Sequence, residues 1–159
     1  MRTTGNAAGL SDARIYERHA DELIRFATGI VGASEAADVL STAMVNALSS
    51  RSWPHVIEKR AYLYRCVLNA ARSSQRSGSR RRVRELRVVY REVANAPETA
   101  PEVWEAVKGL SPRQRAVVFL TYWEDLDVSA VAHLLDLSEG TVKQHLARAR
   151  AHLRRKLDD

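Results

Sequence analysis

Apolar residues recur at three- and four-residue intervals along most of the chain and nowhere alternate with polar ones over the length of a strand. That periodicity predicts an all-α fold. Residues 1–9 carry no pattern and read as a disordered start. Ser11 and Asp12 can then cap a helix in which Ile15, His19, Leu23, Phe26 and Ile30 share a face, with Gly29 and Gly32 marking its end. Ser34 opens a second helix to about Ser50, with Val39, Leu40, Ala43, Met44, Ala47 and Leu48 inward, and Ser52-Trp53-Pro54 breaks it. A third, from about Glu58 to Arg76, buries Leu63, Cys66, Val67 and Ala70. Its other face lines up Tyr62, Arg65, Asn69, Arg72 and Arg76.

The C-terminal third has the most specific pattern. Ser111 followed by Pro112 is a helix start, because a serine hydroxyl accepts from free backbone N–H groups and proline suits the first helical turn. Val117, Val118, Leu120 and Tyr122 then supply a core. A second helix, from about Val128 to Leu135, buries Val131, Leu134 and Leu135, and Asp136-Leu137-Ser138 makes a tight turn whose serine caps a third. This is the spacing of a helix-turn-helix. Advanced at about 100° per residue, the last helix separates into a seam of Val142, Leu146, Ala149, Leu153 and Leu157 and an opposite face of Gln144, Ala147, Arg148, Ala151 and Arg155. Lys143, His145 and Arg154 flank that face. Gln and Arg can read purine edges, alanines let the backbone approach a groove, and the cations neutralise phosphates. A merely solvated basic face would look similar in isolation; the helix-turn-helix context favours DNA.

Composition divides the chain in two. After the third helix comes a small-residue, basic stretch from Ser73 to Arg82, suited to touching phosphate, then a short helix around Val83 to Tyr90, and then Ala94 to Pro101 with two prolines. The reading is an N-terminal helical domain over 10–90, a linker over 91–101 and a helix-turn-helix domain over 102–159, each half with a small core. The 159 residues carry a formal charge of +6, with arginines clustered in 72–91 and 148–156, which points to a polyanionic partner. No apolar run approaches the roughly 20 residues of a membrane span and no signal-peptide core is present, so a cytoplasmic protein with no membrane partner is expected.

Candidate chemistry changes little. Cys66 is the only cysteine, excluding an internal disulfide and a cysteine-based zinc site, and its apolar neighbours suggest a buried small hydrophobe. His19, His55, His133, His145 and His152 are scattered, without acidic partners at metal-ligand spacing, and the glycines form no phosphate loop. No enzymatic constellation, metal site or cofactor is expected.

Two segments in order carry a resemblance: Arg60-Ala61-Tyr62-Leu63-Tyr64-Arg65-Cys66-Val67-Leu68-Asn69-Ala70-Ala71-Arg72 with its following arginines, then Leu110-Ser111-Pro112-Arg113-Gln114-Arg115 with Gly140-Thr141-Val142-Lys143. Together they resemble bacterial sigma factors of the extracytoplasmic-function group, the minimal two-domain members of the sigma-70 family, in their short actinobacterial form. The C-terminal motif alone is shared more loosely with LuxR-type regulators. The N-terminal segment at this distance singles out a sigma factor. The resemblance implies binding to RNA polymerase core and to promoter DNA, with an anti-sigma factor as a further candidate partner. It assigns the minus-35 element to Thr141, Lys143, Gln144, Ala147 and Arg148. It assigns the minus-10 element and melting to Tyr62, Arg65, Asn69, Arg72 and Arg76 with Arg80, Arg81 and Arg82, where an aromatic face and cations suit unpaired bases. Tyr62 stands where tryptophan is common, and packing on its own helix is its other reading. Polymerase binding falls to Asp38, Ser41 and Thr42. Here the chain writes Ala36-Ala37-Asp38-Val39-Leu40-Ser41-Thr42 where the family often has Ala-Glu-Asp-Val-Val-Gln-Glu, which implies reduced complementarity to a basic clamp. Ser73 likewise replaces a common aspartate. A stand-alone helix-turn-helix regulator of operator DNA is the alternative, and an inactive adaptor a third reading.

Overall fold

The computed structural model describes residues 4–76 and 101–159, and every regular element among them is helical. The order is α1 (Thr4–Val31), α2 (Ala36–Ser49), a 3-10 turn (Trp53–His55), α3 (Lys59–Arg76), α4 (Pro101–Lys108), α5 (Pro112–Tyr122), α6 (Val128–Leu135) and α7 (Glu139–Leu157). The expected short helix near Val83 and most of the linker lie outside the described residues.

The first three helices bury the stripes their periodicity gave them. Leu23, Phe26 and Ile30 of α1, Val39, Leu40 and Ala43 of α2, and Leu63, Tyr64 and Val67 of α3 form one core. Two boundaries differ from expectation. α1 begins at Thr4, so residues 4–9 are helical: the alanines at 7 and 8 favour helix, and a helix already nucleated downstream extends at little cost. Its end lies at Gly32, whose φ of +87° suits a residue without Cβ, whereas Gly29 sits inside the helix. Leu48, expected inward, is exposed because α2 meets α1 and α3 along the row through Ala36, Ala43 and Ala47. Cys66 is only half-buried, and that burial pushes its thiol up from the ordinary value.

The α2–α3 connection is tied down by its tryptophan. Trp53 is buried, its Nε1 donates to Asp12 Oδ1 at 2.9 Å, and Lys59 Nζ lies 4.4 Å from its ring centroid while donating to the carbonyls of Trp53 and Val56. Close by, Glu22 of α1 accepts from His19, from Arg60 at 2.9 and 3.0 Å, and from the Tyr64 hydroxyl at 3.1 Å. Burial pushes the Glu22 carboxyl up, but these hydrogen bonds and the Arg60 charge outweigh it and hold the group below its ordinary value.

In the second half the starts of α5, α6 and α7 are capped locally. Ser111 and Gln114 form a reciprocal capping box, the Asp127 carboxylate accepts from Ala130 N at 2.8 Å, and Ser138 Oγ accepts from Thr141 N at 3.1 Å. Asp136 stops α6 in the left-handed region at φ 53°, a conformation that aspartate tolerates better than most residues. Val131, Leu134, Leu135, Val142 and Leu146 close the helix-turn-helix core. Tyr122 and Leu157 depart from expectation, being about half exposed, and each lies in the last turn of its helix. Tyr122 instead accepts from Arg150 Nε at 2.7 Å.

The two halves are not separate cores. α5 lies against α1, and α6 against α3, so that residues of both halves form a contiguous apolar cluster. Phe119 occupies the space left by the missing side chain of Gly29, with its ring centroid 6.2 Å from that of Phe26. Arg115 is the one buried charged side chain among the described residues, and it donates to the carbonyls of Ile30 (2.7 Å) in the first half and Leu110 (3.0 Å) and Lys108 (2.7 Å) in the second.

Candidate nucleic-acid interface

The recognition face of α7 stands free. Val142, Leu146 and Ala149 point into the core, and the opposite side presents Lys143, Gln144, Ala147 and Arg148 to solvent. Thr141 is held differently: its hydroxyl lies 2.8 Å from Ser138 Oγ and its amide is bound by the same serine, so it belongs to the cap as much as to the face. His145 flanks the face half-buried. Burial, with Arg113 and Arg148 nearby, keeps its imidazole below the ordinary value and so favours the neutral form. At the other end Arg154, Arg155 and Lys156 fill the last turn, where they complement the helix dipole and extend the basic strip. A rigid helix with two alanines on its outward face and long polar side chains beside them suits the major groove.

The stripe on α3 is in a different condition. Tyr62 is half-buried, its ring 5.9 Å from that of Trp53, so it packs on its own domain. Asn69 is exposed. Arg65 reaches the helix-turn-helix half: its Nη1 lies 3.8 Å from the Asp136 carboxylate, and its Nε is buried without a hydrogen-bond partner among the described residues. Arg72 is half-buried in a cleft with Gln75, Ser111, Arg113 and His145. Arg76 ends the helix, while Arg80, Arg81 and Arg82 lie outside the described residues. The five stripe positions therefore share a face, but two of them meet the other half of the molecule.

On α2, Asp38, Ser41 and Thr42 are exposed and continue into Val45 and Leu48, also exposed. A helix face that ends acidic at its start and apolar at its finish suits a partner protein better than solvent. Val45 and Leu48 escaped the sequence reading because helical spacing alone does not say which of two apolar rows meets the core.

Two histidines do have acidic partners. His19 Nδ1 lies 2.6 Å from Glu22 at i+3, and His133 Nε2 lies 2.6 Å from Glu58, a residue far away in sequence. Neither pair belongs to a set of three metal-ligating groups among the described residues. No helix among those residues is long and apolar enough to cross a membrane. Arg115 is the main polar residue that sequence reasoning missed. It sits in the Leu-Ser-Pro-Arg-Gln-Arg motif, and its one local signal was a position on the inward side of α5, facing apolar neighbours.

Comparison with known proteins fits both halves. Residues 15–81 match the family model described as Sigma-70 region 2, and residues 101–153 match Sigma-70, region 4. The RNA polymerase sigma-E factor of Streptomyces antibioticus is 32% identical over 91% of this chain and 83% of its own length. An ECF RNA polymerase sigma factor SigM of Mycobacterium tuberculosis is 34% identical over 91% of this chain and 76% of its own. In the solved complex of sigma factor RpoE with the anti-sigma factor NepR from Bartonella quintana, the sigma chain shares this fold with a TM-score of 0.64 at 20% identity, covering 92% of this chain and 96% of that one. With both regions present in order and relatives similar along nearly the whole length, the chain belongs to the extracytoplasmic-function group of sigma-70 family sigma factors.

Proposed function

We propose that this sigma factor binds RNA polymerase core through the α2 face around Asp38, Ser41 and Thr42, reads a duplex minus-35 element with α7, and holds the unpaired minus-10 strand on α3 as the promoter opens. The observation that carries the reading is the solvent-facing set of Lys143, Gln144, Ala147 and Arg148 on a capped, rigid helix. Gln144 and Arg148 are the base readers, Lys143 a phosphate contact and Ala147 the gap that admits the groove edge. On α3, Tyr62 and Asn69 offer a ring face and an amide to splayed bases, and Arg65, Arg72 and the arginines beyond Arg76 follow the backbone. Bond formation belongs to the polymerase; this chain supplies binding and works where the polymerase works, in the cytoplasm. An anti-sigma partner fits the same reading, since the RpoE neighbour is captured with one.

The test is reconstitution of purified chain with core polymerase and supercoiled promoter DNA. Transcripts from a defined start that require the chain are expected. DNA binding without core, together with no transcript, would instead identify a stand-alone regulator.

A further inference from the structure

A cleft of about 370 Å³ lies between the end of α1 and helices α4 and α5, and none of the DNA or polymerase contacts proposed above uses it. Its lining is largely aromatic and aliphatic. Trp104, Phe119 and Trp123 contribute rings, the last two nearly parallel, with planes 10° apart and centroids 6.2 Å apart, and Val118 adds aliphatic surface. Gly32 leaves Trp104 its place: a Cβ on this residue would come within 2.9 Å of the indole.

The same cleft is lined by Arg115, which is only 7% exposed. Its N–H groups are satisfied, but by neutral oxygens. They donate to the carbonyls of Ile30, Leu110 and Lys108, and the Gln75 amide, turned with its oxygen toward the guanidinium, accepts at 3.1 and 3.3 Å. The charge itself is answered less well. Glu35, at the start of α2, is the acid that bears on it, and it acts through space without a hydrogen bond. Burial lowers the guanidinium more than Glu35 raises it. Buried charges are ordinarily paired, and a cation held by neutral dipoles keeps an uncompensated field in low-dielectric surroundings. Here that field opens onto an apolar cavity.

We propose that the cleft is a binding site for a small aromatic anion, its flat rings seated among Trp104, Phe119 and Trp123 and its carboxylate directed toward Arg115. The volume falls within the range of about 300–1,000 Å³ common to small-molecule sites. Flat rings gain most from such walls, through offset and edge contacts that a flexible chain makes less well. Because the donors of Arg115 are already engaged, it offers charge rather than new hydrogen bonds. That favours an anion over its neutral isostere and repels an ammonium. A sugar or free phosphate would lose its hydration among mainly apolar side chains. The site stands apart from the promoter and polymerase contacts and does not depend on them.

The test uses the full chain with 1-naphthoate as the probe. Calorimetric titration at neutral pH should give a single site with a Kd between about 1 and 100 μM. The neutral isostere 1-naphthamide should bind about ten-fold more weakly, as should decanoate, which has the charge without the rings; 1-naphthylmethylammonium should give no measurable heat. Location is read from the indole N–H signals of the three tryptophans in a nitrogen-15 correlation spectrum, assigned with Trp104→Phe and Trp123→Phe. Naphthoate should move the signals of Trp104 and Trp123 and leave that of Trp53, which is buried against Asp12. Arg115→Met should bind naphthoate and naphthamide alike. Arg14→Met removes an exposed charge that does not line the cleft and should keep the preference of about ten-fold. Absent binding, equal affinity of wild type for naphthoate and naphthamide, decanoate binding as tightly as naphthoate, a Trp53 shift as large as the other two, or a preference lost in Arg14→Met would each overturn the proposal. If Arg115→Met loses its native circular dichroism, the wild-type ligand series and the indole shifts decide alone.

Discussion

The outward face of α7 and the stripe on α3 are both basic, both helical and both proposed to meet DNA, but they are built differently. On α7 the seam Val142, Leu146 and Ala149 is buried by the two helices just before it in sequence, and the outward residues touch nothing that would have to move. On α3 the outward residues are shared: Tyr62 with Trp53, Arg65 with Asp136, and Arg72 with the cleft under Arg113 and His145. A surface ready for a duplex can be rigid and always open. One meant for unpaired bases has no ligand until the duplex yields, and it can be occupied by the protein itself in the meantime.

The largest effect that would sharpen this contrast lies on neither face. On the proposed polymerase contact of α2, Asp38→Arg should abolish pull-down of core polymerase while circular dichroism stays native, because an exposed acid would become a like charge against a basic partner surface, at a cost of several kcal/mol. Unchanged pull-down would move the polymerase interface away from α2. Next comes Arg148→Ala, which should lose about 1–3 kcal/mol on the specific upstream site and little on unrelated duplex. Lys143→Ala should instead weaken all sequences alike and flatten the salt dependence. Equal behaviour of the two variants in a fluorescence titration would erase the distinction between base reader and phosphate contact.

The smallest effect concerns support beneath the α3 stripe. Glu22 is held below its ordinary value of 4.5 in the folded state, so the unfolded chain takes up protons first as the pH drops. Stability from this network is therefore complete above about pH 4.5 and is lost as pH falls through the lowered value of the folded state. Thermal melts should show a steeper acid loss in wild type than in Arg60→Ala, which already lacks the principal partner. Parallel curves would mean that the Glu22 network does not brace α3.

The contrast also explains what could be read in advance. Helices α5 to α7 follow from neighbours in sequence: Ser111-Pro112, Asp127 and Ser138 start them, Asp136 ends one, and periodicity assigns Val142 and Leu146 to the inside. Leu157 lies in the last turn of its helix, where periodicity continues and the packing partner does not; Leu48 belongs to a second apolar row of α2 turned away from α1 and α3, and Tyr122 is half exposed with its hydroxyl held by Arg150. The docking of one half on the other was not legible. It depends on Phe119 meeting Gly29 and Arg115 meeting the Ile30 carbonyl, pairs some 85–90 residues apart with no periodic trace. Gly29 looked like a helix end because glycine usually is one; here it makes room for a ring.

In the proposed division of labour α7 acts when the promoter is first bound and α3 when it opens. Permanganate reactivity of promoter thymines, followed over time with Tyr62→Ala/Asn69→Ala holoenzyme, tests this most directly. Loss of stacking worth about 1–3 kcal/mol per base should slow melting of the duplex promoter by roughly ten-fold, while holoenzyme binding changes little and a pre-melted bubble restores transcription. Wild-type melting by the double variant, or a loss of binding that the bubble does not repair, would contradict that division of labour.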